Sequence, residues 1–127
     1  MNTYSKQEKL KSRKALNQLF TKGRSFLCFP VKIFYMPVTT GTMAIQAGVG
    51  VSSKHFKKAV DRNRIKRLLR ETYRLNKQPL TTVLNGQQKH LHIFLLYIGK
   101  ELPEYTFLQE KTKLALTKLE EILVREA

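Results

Sequence analysis

The chain has 127 residues, 42% of them hydrophobic, and it carries 24 Lys and Arg against nine Asp and Glu, for a formal charge of +15. This length predicts a single domain spanning residues 1–127, and the hydrophobic content excludes a wholly disordered chain. The excess positive charge falls within residues 1–77, because residues 78–127 hold six basic and six acidic side chains, and such a field favours an anionic partner, most often a nucleic acid.

The hydrophobic pattern predicts six elements in the order α-β-β-α-β-α, beginning with a short helix over residues 12–22. Ser12 is a suitable N-cap for this helix, and Gly23 follows its last turn. A strand over residues 29–38 comes next, because its side chains alternate between two faces. Its core face is predicted to carry Val31, Ile33 and Tyr35, and its other face Lys32, Phe34 and Met36.

A turn at residues 39–42 leads to a second strand over residues 43–52, whose small residues permit close backbone approach. We expect these two strands to form an antiparallel pair. The segment 77–90 is interpreted as a loop. The strand that follows, residues 91–99, is apolar almost throughout, which predicts a buried central position.

The last predicted element is an amphipathic helix that begins after a break at residues 100–105 and ends near Arg125. Thr106 and Gln109 have the spacing of a capping box. The predicted core stripe consists of Leu108, Thr112, Ala115, Leu119 and Ile122. Helices packed on a sheet in this order indicate an α+β domain.

The segment Ala59–Asn76 is predicted to form a basic helix with two distinct faces. At about 100° per residue, one arc collects the side chains that would dock on a sheet, Ile65, Leu68, Leu69, Thr72 and Tyr73. The adjoining arc is cationic and contains Arg62, Asn63, Lys66, Arg67, Arg70 and Arg74, with Arg64 at its margin. Three lysines just upstream extend this charge around the start of the helix, namely Lys54, Lys57 and Lys58.

Two interpretations of the cationic arc are open. Charge runs are most often solvated surfaces, whose Arg stems cover apolar groups. Here Asp61 and Glu71 are the only acids within the helix, and like charges four residues apart cost an isolated helix roughly 0.2–0.5 kcal/mol each. This cost favours phosphate binding, to which the Arg guanidinium is well suited. Charge along the whole helix, beside strands, fits structured RNA better than the major groove of DNA.

Other candidate sites are weaker. Phe20 and Phe34, with Lys32 nearby, could stack an unpaired base, although a core position is the commoner role of such rings. His90 and His92 share a strand face without a carboxylate or thiol placed beside them, so we interpret them as exposed strand-end residues and predict no metal site and no catalytic side chain. Cys28 is the single cysteine, which favours a reducing cytoplasm and a structural role in a strand.

The segment "AVDRNRIKRLLRETYR", with "GVGVSSK" before it, resembles the RNR motif of the bacterial ribonuclease P protein subunit. The likeness extends to "LKSRKALNQLFTKGRSF" and "IFLLYIGK" and covers residues 10–121. This resemblance implies an α/β sandwich with a central, mainly antiparallel sheet and an unusual left-handed β-α-β crossover, of the ribosomal-protein-S5-domain-2-like kind. The implied activity is removal of the 5′ leader from precursor tRNA. The RNA subunit with bound magnesium would be the catalyst and the protein a cofactor with no obligate protein partner.

The resemblance also implies roles for individual residues. Contacts to the RNA subunit and to leader phosphates are expected from Arg62, Asn63, Arg64, Lys66, Arg67 and Arg70. The leader cleft would be lined by Phe20, Lys32 and Phe34. Leu16 stands in this cleft where members of the family often carry Phe, so stacking at that point is lost. The segment "HFKKAVD" departs from the Gly-containing turn that is common in the family.

Three alternative functions are also compatible with the sequence to different degrees. The chain could be an RNA-binding module with no part in processing, such as a ribosome-associated protein. A protein-only nuclease would need a cluster of carboxylates, and residues 1–77 contain three acids. A basic helix lying on an anionic membrane is disfavoured because Leu68 and Leu69 are needed by the sheet.

The longest apolar stretch, residues 25–38, is too short to span a bilayer, and the N-terminal residues do not resemble a secretory signal.

Overall fold

A computed structural model describes residues 9–10, 12–39 and 44–126 of the chain. These ranges contain four helices and four strands. In chain order the elements are α1 (Arg13–Lys22), β1 (Arg24–Cys28), β2 (Val31–Val38), β3 (Ile45–Val51), α2 (Ala59–Asn76), α3 (Gln78–Gln87), β4 (His90–Tyr97) and α4 (Tyr105–Arg125). Residues 40–42 of the predicted turn lie outside the described part. The α+β class is confirmed, and α2 has the predicted bounds.

The sheet has the strand order β1-β2-β4-β3, so β4 is central, as its apolar sequence predicted. The β1–β2 and β2–β4 pairs are antiparallel and the β3–β4 pair is parallel. The predicted antiparallel pairing of β2 with β3 is therefore wrong. β4 lies between them because its largely apolar side chains can be covered on both faces of the sheet. The hand of the crossover from β3 through α2 to β4 remains a prediction.

The apolar run before β2 forms a second strand that the sequence analysis missed. β1 pairs with β2 from Arg24 opposite Tyr35 to Cys28 opposite Val31. Between the two strands stands Pro30, preceded by a cis peptide bond. Proline cannot donate a ladder hydrogen bond, so the predicted strand over residues 29–38 starts at Val31 instead.

The core lies on one side of the sheet, beneath α2 and α4. The predicted core face of β2 is confirmed, since Val31 and Ile33 are fully buried and Tyr35 nearly so. The predicted docking face of α2 is also confirmed, with Leu68 at its half-buried edge. Buried α4 residues complete this core and include Leu108, Thr112, Ala115, Leu116, Leu119 and Leu123. Ile122, which was predicted for the stripe, is half-buried at its margin.

Helix α3 occupies the segment that was predicted to be a loop. Pro79 lies in its first turn, where a missing N–H is tolerated. Leu80 and Leu84, one turn apart, are both buried, and the helix packs against α4. Thr81, Thr82 and Gly86 lower the helix propensity of this segment. The sequence therefore favoured a loop, although a short apolar stripe is present. Packing against α4 overrides that propensity.

The predicted capping box of α4 is wrong. The helix starts at Tyr105 with Glu104 as its N-cap, whose side chain makes no capping hydrogen bond. Gln109 is used differently, because its Oε1 accepts a hydrogen bond from Asn76 Nδ2 of α2 at 3.0 Å. The two helices are also joined by a buried hydrogen bond of 3.0 Å between the hydroxyls of Thr72 and Thr112. These polar contacts fix the position of α2 along α4.

Helix α1 contacts β2 on the opposite side of the sheet. Its predicted N-cap is confirmed, since Ser12 Oγ accepts a hydrogen bond from the Ala15 amide at 3.3 Å. Gly23 follows the helix in an extended conformation with φ −74°. A Cβ at this position would lie 2.4 Å from the Leu19 carbonyl oxygen. Glycine is thus required there for close packing.

Candidate nucleic-acid interface

The side of the sheet that carries α1, here called the outer face, presents aromatic rings in a row. Phe34 of β2 lies directly opposite Phe94 of β4. Phe94 in turn lies opposite Gly48 of β3. The next row of this face contains Lys32 opposite Leu96. Because alternate residues of a strand share one face, the predicted split of β2 into a core face and a second face is confirmed.

Three phenylalanines form an aromatic cluster on this face. The ring of Phe20 meets the rings of Phe34 and Phe94 edge to face, with centroids 5.1 Å apart in both pairs. Lys32 Nζ lies 5.0 Å from the centroid of Phe34, within the range of a cation–π contact. Phe20 is 46% exposed, while Phe34 and Phe94 are half-buried. Phe20, Lys32 and Phe34 are therefore brought together, with an apolar platform open to solvent.

Phe94 is the member of the aromatic cluster that the sequence analysis missed. Its ring lies against the backbone of β3, where two glycines leave room for it. A Cβ at Gly48 would come within 2.9 Å of Phe94 Cδ2, and one at Gly50 within 2.6 Å of Phe94 Cζ. The close approach to the backbone of this strand is confirmed, and the group that approaches is the aromatic side chain of Phe94. Alternation along β4 could have identified Phe94 only if the face that α1 covers had been known.

A cavity of about 160 Å³ lies beside the aromatic cluster and joins it to α2. Leu16 of α1, Phe94 of β4 and Arg70 of α2 all line this cavity. Lys9 and Leu10 close another side, and the Leu10 amide donates a 2.9 Å hydrogen bond to the Ala47 carbonyl at the edge of β3. Arg70 thus stands where the cationic helix meets the aromatic platform. Leu16 supplies an apolar wall there.

Most of the predicted cationic residues lie at the surface. Asn63, Arg64, Arg67 and Arg70 are exposed on α2, and Lys66 is half-buried. The three lysines of the preceding segment, Lys54, Lys57 and Lys58, are exposed as well. Because Ile65 and Leu69 of the same helix are fully buried, the cationic face points away from the core. It offers a continuous surface to a polyanion.

Two arginines of the predicted set have partners within the protein. Arg62 is half-buried, and its Nη1 donates to the carbonyl oxygens of Phe56 at 2.9 Å and Lys57 at 2.7 Å. Arg74 forms an ion pair with Glu71, with 2.5 Å between Nη2 and Oε1. The hydrogen bonds from Arg74 lower the pKa of the Glu71 carboxyl. The basic residues of α2 are therefore not equivalent.

His90 and His92 occupy one face of β4, as predicted, but both are half-buried rather than exposed. His92 Nε2 lies 3.1 Å from Gln46 Oε1 of β3, and burial lowers the pKa of the His92 ring. No group of three or more His, Cys, Asp or Glu side chains suited to a metal ion occurs among the described residues. In the same part of the chain, none of the helices has the length and apolar character needed to cross a membrane.

The chain is similar to proteins of one family along most of its length. The Ribonuclease P family model matches residues 4–120. A ribonuclease P protein component from Porphyromonas gingivalis is 34% identical over 116 residues, which cover 91% of this chain and 85% of the relative. The corresponding protein from Chlorobium phaeobacteroides is 36% identical over 122 residues, or 87% of this chain and 84% of the relative.

Two solved structures share the fold. The RNase P protein of Staphylococcus aureus superposes with a TM-score of 0.72 at 18% identity, covering 88% of this chain and 94% of that protein. The RNase P protein of Thermotoga maritima gives a TM-score of 0.69 at 24% identity, covering 87% and 96%. At these identities the structural likeness establishes the fold.

Proposed function

We propose that two adjoining surfaces bind RNA in this chain, which belongs to the ribonuclease P protein family. The chain is thus a protein subunit of the ribonuclease P ribonucleoprotein, which matures the 5′ ends of tRNA. The cationic face of α2 with the preceding lysines binds the catalytic RNA subunit. The aromatic cluster and the cavity beside it bind the single-stranded 5′ leader of precursor tRNA. The protein acts in the cytoplasm and needs no further protein partner.

The observation that carries this proposal is the position of Arg70. Its side chain lines the same cavity as Leu16 and Phe94, so phosphate-binding and base-stacking groups adjoin. A single strand needs both, because its phosphates require cations and its unpaired bases require flat apolar partners. Mature tRNA has no single-stranded leader that could bind to this surface of the protein. The arrangement therefore favours the precursor over the product.

The protein contributes electrostatics, and its side chains take no part in bond cleavage. The described residues do not form a carboxylate or histidine cluster suited to magnesium, so we assign magnesium to the RNA subunit. Two RNA molecules held together repel each other, and a protein that neutralises several phosphates reduces this repulsion. The expected consequence is a lower magnesium requirement for the holoenzyme than for the RNA alone.

The test is cleavage of a leader-bearing precursor tRNA at low magnesium by the RNA subunit alone, the protein alone and both together. We expect cleavage at low magnesium only with both. Cleavage by the protein alone would overturn the assignment of catalysis to RNA. If the protein binds RNA but gives no gain over the RNA subunit alone, it is an RNA-binding module without a role in processing.

A further inference from the structure

The first arginine of the Arg62-Asn63-Arg64 sequence points back toward the chain that precedes its helix. Arg62 Nη1 donates to the carbonyl oxygens of two consecutive residues, Phe56 at 2.9 Å and Lys57 at 2.7 Å. A guanidinium nitrogen that serves two backbone carbonyls holds the segment in one conformation. The other two nitrogens of the guanidinium group lie in the same plane, so these hydrogen bonds also restrict how freely Arg62 can reorient toward a phosphate.

The segment held in this way, residues 52–58, is fixed at both of its ends. The Ser52 amide donates to the Tyr97 carbonyl at 3.0 Å and so continues the edge of the sheet. The Phe56 ring is buried and lies 6.2 Å from the Tyr97 ring. Between and after these anchors stand the exposed lysines Lys54, Lys57 and Lys58.

The start of α2 lacks the usual means of fixing a helix entry. Its N-cap residue is Lys58, whose side chain makes no capping hydrogen bond. The Arg62 side chain, one turn into the helix, reaches back over this uncapped end to Lys57. Two of the exposed lysines therefore adjoin the carbonyls that Arg62 binds, and their backbone positions depend on it.

We propose that Arg62 is a positioning residue that latches the segment 52–58 to the first turn of α2 and thereby sets the three lysines in place for RNA. This inference rests on the proposed binding of RNA by the α2 face. The phosphate contacts are made by the lysines and by Arg64, Arg67 and Arg70. Arg62 acts on RNA binding through the lysines.

Tryptic cleavage of the free protein tests the latch without RNA. In Arg62→Lys the charge is kept, but the side chain is shorter, so its ammonium should fall short of the two carbonyls that Arg62 Nη1 reaches. Because proteolysis requires local opening of the chain, we expect cleavage after Lys54, Lys57 and Lys58 to accelerate roughly tenfold or more. Cleavage after the exposed Lys100 serves as the internal standard. The matched control is Arg67→Lys, since Arg67 is exposed and cleavage at the three lysines should not change.

Binding to the RNA subunit then separates positioning from direct contact. Arg62→Lys should weaken binding about tenfold in the natural sequence, and this effect should shrink to about twofold when Lys54, Lys57 and Lys58 are all alanine. The effect of Arg67→Lys should be the same in both backgrounds. Unchanged cleavage at the lysines would overturn the latch, and so would a loss of affinity that persists in the triple-alanine background. Absence of RNA binding by the unsubstituted protein would refute the proposed function and leave the cleavage result standing.

Discussion

The rings of Phe20 on α1 and Phe34 on β2 meet edge to face, with their centroids 5.1 Å apart. The two residues are 14 positions apart in the chain, and they stand on different elements. Their contact places α1 against the outer face of the sheet and leaves Phe20 46% exposed. An aromatic pair of this geometry contributes roughly 0.5–1.5 kcal/mol beyond burial, so it helps to hold α1 against the sheet while the Phe20 ring stays open to solvent.

Replacement of Phe34 by alanine tests the stacking surface. If a leader base stacks on this ring, Phe34→Ala should cost about 1–3 kcal/mol, which is roughly 5- to 150-fold in affinity for precursor tRNA. Binding of mature tRNA should change far less. The measurement is the dissociation constant of each tRNA for the holoenzyme. Equal losses for the two tRNAs would instead assign Phe34 to packing alone.

Gly50→Ala tests the support beneath the aromatic cluster. The added Cβ would stand 2.6 Å from Phe94 Cζ, so the ring must move, at a cost of about 1–3 kcal/mol in the free energy of unfolding. Displacement of Phe94 should also reduce the preference for precursor over mature tRNA. Urea unfolding and tRNA binding measure the two effects.

The matched control for this substitution is Gly86→Ala on α3. A Cβ at position 86 would have no neighbour within 4 Å, and alanine favours a helix over glycine by about 0.5–1 kcal/mol. This variant should therefore be slightly more stable and bind tRNA unchanged. A preference for precursor that survives Gly50→Ala would show that the position of Phe94 does not matter for the leader.

The parts of the fold that could be predicted are those that depend on local periodicity. α2 is long, and its two faces differ sharply in character, so its bounds followed from the sequence. The pairing of strands is non-local, and nothing in residues 29–52 indicates that β4 lies between β2 and β3. Likewise, Leu80 and Leu84 define a helix face only because α4 is present to cover them.

The candidate site divides in a similar way. The cationic face and the set of Phe20, Lys32 and Phe34 were identified from charge, spacing and resemblance. Phe94 was not, because an apolar residue in an apolar strand carries no mark of the face it occupies. The bonds from Arg62 to the backbone carbonyls of Phe56 and Lys57 required the path of the chain. The ion pair of Arg74 with Glu71, three residues apart on a helix, could have been recognised from spacing alone.

The Thr72–Thr112 hydrogen bond predicts a coupling between α2 and α4. Both residues are fully buried, and because Thr72 Oγ1 donates its one proton to the Leu69 carbonyl at 3.1 Å, it accepts the hydrogen bond from Thr112 Oγ1. Thr112→Val should lower the free energy of unfolding by about 0.5–1.5 kcal/mol. The double substitution Thr72→Val with Thr112→Val should cost less than the sum of the two single changes, because it also removes the buried Thr112 hydroxyl that Thr72→Val alone deprives of its acceptor.

Urea unfolding of the four proteins measures this coupling. Thr117→Val is the control, because Thr117 is exposed on the same helix and its replacement should change stability by less than about 0.5 kcal/mol. Strict additivity of Thr72→Val and Thr112→Val would mean that the hydrogen bond contributes nothing to stability.

Arg67 and Arg74 lie two turns apart on α2 but should respond differently to salt. Arg67 is exposed, and each phosphate that it neutralises releases counterions, so Arg67→Ala should weaken binding of the RNA subunit. The same change should reduce the slope of log affinity against log salt by about 0.7–0.9.

Arg74 is held by Glu71 at 2.5 Å, and RNA must compete with this carboxylate for it. We therefore expect Arg74→Ala to change the slope by less than half as much. Glu71→Gln removes the carboxylate that forms the ion pair with Arg74 and should raise RNA affinity, and this gain should shrink when Arg74 is alanine. Equal salt slopes for Arg67→Ala and the unsubstituted protein would show that Arg67 does not contact RNA. Equal effects of Arg67→Ala and Arg74→Ala on the slope would show that the ion pair between Arg74 and Glu71 opens at no cost when RNA binds.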